Sequence, residues 1–371
     1  MALNAREALI TLNLIPGLGS VRIQSMLEFF GSAELALEAP VQLLMQVPRL
    51  GEKLARAVAD WRHCTSVHAE LECAEQCGVR VVTFLDEEYP NALRRMSDPP
   101  IVLYVRGDWR QADAERAVSV VGTRVATPYG ISCARRFSRE LSESGCVIIS
   151  GLARGIDTAA HWGALDAGGR TIAVLGGGMS QIFPAENAEL AERIEAGHGA
   201  VISEFPMNMR PSRNSFPQRN RVVAAWSKAT LVVEASARSG ALHTAGLSAG
   251  QYGNLVFAIP GAVTGIASVG CHRLIRDGAI LCSSPHDLLE DMRWDQPPRQ
   301  LELFETPPPQ AAASPGADPI IAAIAAGHNT LDALCSALGM PAYELTPMLM
   351  RLQIERKILP ASGGSYSLPG A

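Results

Sequence analysis

Residues 146–178, CVIISGLARGIDTAAHWGALDAGGRTIAVLGGG, decide the fold. The apolar runs CVIIS and TIAVL are continuous, not alternating, as strands buried on both faces of a parallel sheet require. Each ends in glycine, and TAAHWGALDA between them has a helical pattern. The same alternation extends outward. Strand-like VRVVTFL, IVLYVRG and AVSVVG precede it, and AVISEF, ATLVVEAS, LVFAIPG and AILC follow. ISCARRFSRELSES, AENAELAERIEAG and ALHTAGLSAGQY supply further helices. The expectation is an α/β fold with a doubly wound, mostly parallel sheet.

Two other regions flank it. LIPGLGS from Leu14 and QVPRLGE from Gln46 repeat at an offset of 32 residues, with Gly19 and Gly51 at tight turns before helical patterns. Such units resemble helix-hairpin-helix (SAM-like) modules, whose turn amides can touch a phosphate; a helical bundle used for packing fits equally well. Residues 295–317, rich in Pro, Ala and Gln, read as flexible linker. PIIAAIAAG, TLDALCSALG and AYELTPMLMRLQIERKIL then give three helices, and PASGGSYSL a hairpin with a Gly-Gly turn, which together suggest a winged helix. The expected domains are 1–75 (helical), 76–292 (α/β), 293–317 (linker) and 318–371 (winged helix).

Composition narrows the function. Across 371 residues, 47% are hydrophobic and 19% charged, enough apolar material for real cores. No apolar run is long enough to span a bilayer, and MALNAREALITLN lacks the apolar core of a signal peptide, so a cytoplasmic protein with no membrane partner is expected. The eight cysteines include no CxxC and read as reduced. His63, Cys64, His68, Cys73 and Cys77 crowd together but match no zinc spacing; a buried helix face is the expectation, and no metal. Net charge is −5, yet residues 119–283 alone carry +4 while both flanks are negative, so a polyanion belongs in the middle.

In an open parallel sheet, ligands sit beyond the carboxyl ends of the strands. Four glycine-bearing turns follow strands there: Gly122-Thr123-Arg124, Gly151-Leu152-Ala153-Arg154-Gly155, Gly176-Gly177-Gly178 and Ala237-Arg238-Ser239-Gly240. Glycine lets backbone amides approach an oxyanion, and several such turns would make a phosphate-binding rim. None matches GxGxxG or GxxxxGK[ST], so no cofactor is expected. On the same rim, MNMRPSRNSFPQRNR (207–221) interleaves Arg210, Arg213, Arg219 and Arg221 with Phe216, the combination that single-stranded nucleic acid needs: cations for phosphates and an aromatic face for a base. Arg219, Asn220 and Arg221 have an architectural reading as well, capping a helix and pairing with Glu204 or Glu234. Asp157 and His161, at i and i+4, share a helix face, but without a nucleophile or third ligand Asp157 reads as a helix-dipole partner.

VGTRVATPYG, SGLARGIDTAAHWGAL, TIAVLGGG, FPQRNRVVAA, VVEASARSGALHTA and FAIPG followed by SVGCHRLIRDGA stand in the order and spacing of the DNA processing protein A (DprA/Smf) family, and the resemblance covers nearly the whole chain. It implies an extended Rossmann-like domain that binds single-stranded DNA without catalysis, forms a homodimer, and loads the RecA recombinase onto that DNA, notably in natural transformation. The implied contacts are Arg124, the glycines of SGLARG, Arg213, and the FPQRNR block including Phe216. Strand-end reasoning adds Gly122, Thr123, Arg154, Ser239 and Gly240. The tail carries few cations, so its winged helix is expected to contact protein, or duplex DNA weakly. Two departures stand out: His243 in SGALHTA replaces an aliphatic residue, and Cys271-His272 occupy the usual GTN position. The competing class, nucleotide phosphoribohydrolases with PGGxGTxxE, finds no such stretch here.

Overall fold

The structure is a computed structural model that describes residues 3–295, 318–361 and 365–369. Most of the expected linker, and Gly363-Gly364 of the expected turn, lie outside those residues. The chain divides into two compact units, residues 1–299 and 300–371.

All nine strand-like runs form strands of one sheet: β1 (Arg80–Thr83), β2 (Val102–Gly107), β3 (Ala117–Val121), β4 (Val147–Ser150), β5 (Thr171–Val174), β6 (Gly199–Ser203), β7 (Ala229–Val232), β8 (Leu255–Ala258) and β9 (Ile280–Leu281). Their order is β1-β2-β6-β5-β4-β3-β7-β8-β9. β1 and β2 pair antiparallel with each other, as do β2 and β6, and the other pairs are parallel. From β3 the chain winds outward through β4, β5 and β6, then returns to the other side of β3 with β7. The order therefore reverses between β3 and β7, and the crevice beyond their carboxyl ends is where an open α/β sheet binds ligands.

Alternation within the strands shows why both faces are covered. Val118 and Val120 of β3 and Ile148 of β4 pack with Phe137 and Leu141, whereas Val121, Val147 and Ile149 face Val222, Val223 and Trp226. The N-terminal helices share a core with the sheet: Leu9, Ile10 and Leu12 pack in one cluster with Val102, Tyr104, Ala173 and Val201. Gly19 and Gly51 each stand at the N-cap of a helix, Ser20–Phe30 and Glu52–Ala59. Arg22 ties the two repeats together, donating from Nε to Arg49 O at 3.0 Å and from Nη1 to Gly17 O at 3.1 Å.

The histidine–cysteine cluster corrects one expectation. His63, Cys64 and His68 are exposed and Cys73 and Cys77 half-buried. Helix Val67–Gln76 buries Val67, Glu70 and Ala74 instead, because that stripe, offset by three and four residues, is the one that meets the core. Among the described residues no group of His, Cys, Asp and Glu is placed to hold a metal ion, and no helix is long and apolar enough to cross a membrane.

The second unit has helices Pro319–Ala325, Leu331–Leu338 and Ala342–Ile354, followed by strands β10 (Leu359–Ala361) and β11 (Ser365–Ser367) paired antiparallel. Three helices and a two-stranded wing match the expected winged helix. Ile320, Leu334, Leu345, Leu349 and Ile358 form its core.

Candidate nucleic-acid interface

FPQRNR is not a loop. It lies within a helix, Ser215–Trp226, and the two arginines that flank Asn220 turn inward to fasten that helix to the sheet. Arg219 is 3% exposed. Its Nη1 donates to Gly151 O at 2.6 Å and to Val174 O, joining the ends of β4 and β5, and its Nε donates to Asn220 Oδ1 at 3.2 Å. Burial lowers its pKa to about 10, with the Asp157 carboxylate pulling upward, so it stays charged at neutral pH. Asp157 accepts from the Gly151 and Ala153 amides at 3.1 and 3.4 Å. Burial raises its carboxyl above the ordinary range, against Arg219 and those two amides.

Arg221 serves the next strand end. It pairs with the buried carboxylate of Glu204 just beyond β6, donates to Asp98 O at 2.7 Å, and reaches Asp98 Oδ2 at 3.3 Å. The sequence offered the whole FPQRNR block as a DNA contact, beside an architectural reading in which its arginines pair with Glu204 or Glu234, and Arg221 takes the Glu204 pairing. The structure turns Arg221 away from the crevice lining, because a buried guanidinium needs a carboxylate and the nearest is Glu204.

The crevice has a volume of about 460 Å³ and lies over the β3/β7 reversal. Gly122, Thr123 and Arg124 line it from β3, Arg213, Phe216, Arg219 and Asn220 from the helix and its approach, and Ser239, Gly240, His243 and Thr244 from the start of helix Gly240–Gly250. Arg124 and Arg213 are exposed, and neither has an ion-pair partner among the described residues. The Arg124 guanidinium sits 4.3 Å from the Phe216 ring centre. Two exposed arginines, one of them over a π face, and a helix N-terminus converge on one opening, which suits a polyanion that carries flat rings.

The glycines play a different part from the one expected. A Cβ on Gly151 would collide with the Arg219 guanidinium, and one on Gly176 would stand 2.7 Å from the Phe216 ring. Gly176, Gly177 and Gly178 are all buried beneath the segment that carries Arg213. Gly151 gives clearance for a cation, Gly176 for an aromatic ring, and Gly177 and Gly178 for Pro211 and the Pro206–Met207 backbone, where an amide nest was expected. Ser215 completes the anchorage of that segment by donating to Gly176 O at 2.5 Å. Gly155, at φ 77°, brings its turn against the Thr123 carbonyl and so sets the position of the GTR turn.

Arg154 is exposed but engaged: it pairs with Glu186, its Nη2 donating to Oε2 at 2.8 Å. His161 is fully buried with Nδ1 2.7 Å from Thr171 Oγ1, and burial lowers its pKa to about 3. His243 is exposed in the crevice lining. His272 Nε2 donates to Gly261 O at 3.0 Å, and Cys271 is buried. Phe183, 53% exposed beside Phe216, was not picked out from the sequence. The only signal there was an aromatic residue followed by proline shortly after the triple glycine.

A doubly wound α/β unit with a basic, aromatic crevice at its reversal point, followed by a winged helix, defines a nucleic-acid-handling class of protein. Comparison makes this specific. The family described as DNA recombination-mediator protein A matches residues 80–293, and the DprA winged helix domain matches residues 304–364. Protein Smf of Escherichia coli is 36% identical over 306 residues, covering 82% of this chain and 81% of its own. The X-ray structure of DNA processing protein A from Streptococcus pneumoniae superposes with a TM-score of 0.67 at 31% identity, over 78% of this chain and 99% of that one. A structure of the Helicobacter pylori protein, concerned with its mode of binding single-stranded DNA, gives 0.52 at 29% identity, over 59% and 97%. The chain belongs to the DNA processing protein A (DprA/Smf) family.

Proposed function

We propose that this chain binds single-stranded DNA in the β3/β7 crevice without chemical change to it, and passes that DNA to the RecA recombinase. The observation that carries the reading is the pair of exposed guanidiniums, Arg124 and Arg213, that converge with Phe216 on one crevice. Phosphates pair with those two arginines, a base stacks at Phe216, and Thr123, Asn220, Ser239 and Gly240 offer polar contacts along the lining. Gly122, Gly151, Gly155 and Arg219 shape the floor, with Arg219 adding positive potential. Arg221 is architectural. The likeness to the Helicobacter pylori protein supports the choice of a single strand.

Against an enzyme stands the placement of the candidate acid and base. Asp157 is committed to two amides and Arg219, and His161 to Thr171. Two copies join through the Rossmann-like unit; β9 at the end of the sheet, with Leu281 exposed, supports that surface. The winged helix contacts protein. Its third helix exposes Tyr343, Met350 and Ile354 on one side, an apolar stripe where a duplex reader needs cations.

Electrophoretic mobility shifts with single-stranded and duplex oligonucleotides, with and without RecA, test this reading. Retardation of the single strand at protein concentrations that leave duplex unbound is expected, and equal retardation of both would refute it. Incubation with nucleoside monophosphates should release no base.

A further inference from the structure

We infer that the crevice continues into a second base-stacking subsite built on Phe183, with Arg154 as its phosphate partner and Glu186 as the group the phosphate displaces. The inference rests on the reading of the crevice as a single-strand site and extends it beyond Phe216.

Phe183 lies on the chain after β5 and exposes 53% of its surface. A single exposed apolar ring is ordinary on a protein surface. This one is not isolated. Its centre is 6.2 Å from that of Phe216 with the rings tilted by 46°, and Arg124 lies over Phe216. Guanidinium, ring and ring thus run in sequence out of the crevice. Rings tilted at that spacing leave no parallel slot between them, so a further base stacks on the outer face of Phe183.

A hollow of about 170 Å³ follows the same line. Arg124, Ala153 and Phe216 line both it and the main crevice, while Arg154 and Phe183 belong to the hollow alone. A strand leaving the first therefore has a continuous floor into the second. Arg154 stands on the hollow's wall and pairs with Glu186, three residues beyond Phe183. Both partners are more than half exposed, and an exposed pair of this kind contributes little to stability, so a phosphate can replace the carboxylate with small loss. In the unbound protein Glu186 occupies the guanidinium fork that the phosphate would take. The segment is also held ready: Asn187 Nδ2 donates to Leu152 O at 2.9 Å and to Thr158 Oγ1 at 2.8 Å. A ring fixed before binding loses little conformational freedom when a base stacks on it.

The test measures fluorescence anisotropy of oligothymidylates of roughly four and roughly twelve nucleotides, lengths that bracket one short site and one extended site. Phe183→Ala is expected to weaken the longer oligomer roughly five- to tenfold, as loss of one stacked base implies, and to leave the shorter within about twofold. Phe183→Trp should restore the longer oligomer's affinity, and Glu186→Gln should raise it by releasing Arg154. Arg124→Ala with Arg213→Ala weakens both lengths if the crevice binds DNA at all. If that double variant weakens both while Phe183→Ala binds the longer oligomer like the parent, or weakens both lengths equally, the second subsite is overturned and the crevice stands. If the double variant weakens neither, the crevice reading itself fails, and this inference with it.

Discussion

The floor and the rim of the crevice use the same side chain in opposite ways. Arg219 on the floor, and Arg221 behind it and outside the lining, are buried, and their donors go to Gly151 O, Val174 O, Asp98 O and the Glu204 carboxylate, so the helix Ser215–Trp226 is fastened across the ends of β4, β5 and β6. On the rim, Arg124 and Arg213 are exposed, without ion-pair partners among the described residues, and one of them rests on an aromatic face. Residue type therefore does not separate binding from architecture. Burial and partner count do.

Mutations separate the two sets, and the largest effects belong to the floor. Arg221→Ala leaves Glu204 buried beside Asp98 with no guanidinium, and is expected to lower the unfolding free energy by about 3–5 kcal/mol, measured by urea denaturation. Glu204→Gln in that background should recover part of the loss, because the stranded charge is then gone. Arg219→Ala should fall in the same range, since the Gly151 and Val174 carbonyls lose their donor and the buried Asp157 loses its neighbouring cation.

The rim should behave in reverse. Arg124→Ala with Arg213→Ala leaves the urea midpoint unchanged, weakens single-strand affinity roughly tenfold, and reduces the slope of log K against log salt by about 1.4, the expectation for two lost phosphate contacts on a single strand. Equal salt slopes would put the phosphates elsewhere. Smaller still is the effect of removing residues 318–371, for which oligonucleotide affinity should stay within about twofold, because the crevice is complete in the first unit. The smallest is His243→Leu. It restores the aliphatic type expected in SGALHTA and removes no guanidinium, and it should change affinity by less than about twofold.

This contrast also marks what could be read from the chain alone. Most of the strands were legible because a strand buried on both faces must be a continuous apolar run, and the glycines that follow β3, β4 and β5 locate the carboxyl rim. Helix Ser215–Trp226 was not, since Pro217 and two interior arginines hide its apolar side. Apart from Asn220, the partners of those arginines are 17 to 123 residues away; Glu204 was among the carboxylates the sequence offered, but the carbonyls of Gly151, Val174 and Asp98 leave no local trace. The glycines were legible as close-approach positions but not by what approaches: Arg219 at Gly151 and Phe216 at Gly176. Phe183 escaped notice because a lone aromatic beside a proline acquires meaning only when a second ring is found 6.2 Å away.

The central claim is that the rim over the β3/β7 reversal holds the sugar–phosphate backbone of a single DNA strand. The most direct test is a crystal structure with short oligothymidylate. The prediction is electron density for phosphates within hydrogen-bond distance of Arg124 and Arg213, with a thymine ring stacked at Phe216. An oligonucleotide bound elsewhere on the protein, with the crevice empty, would contradict the account.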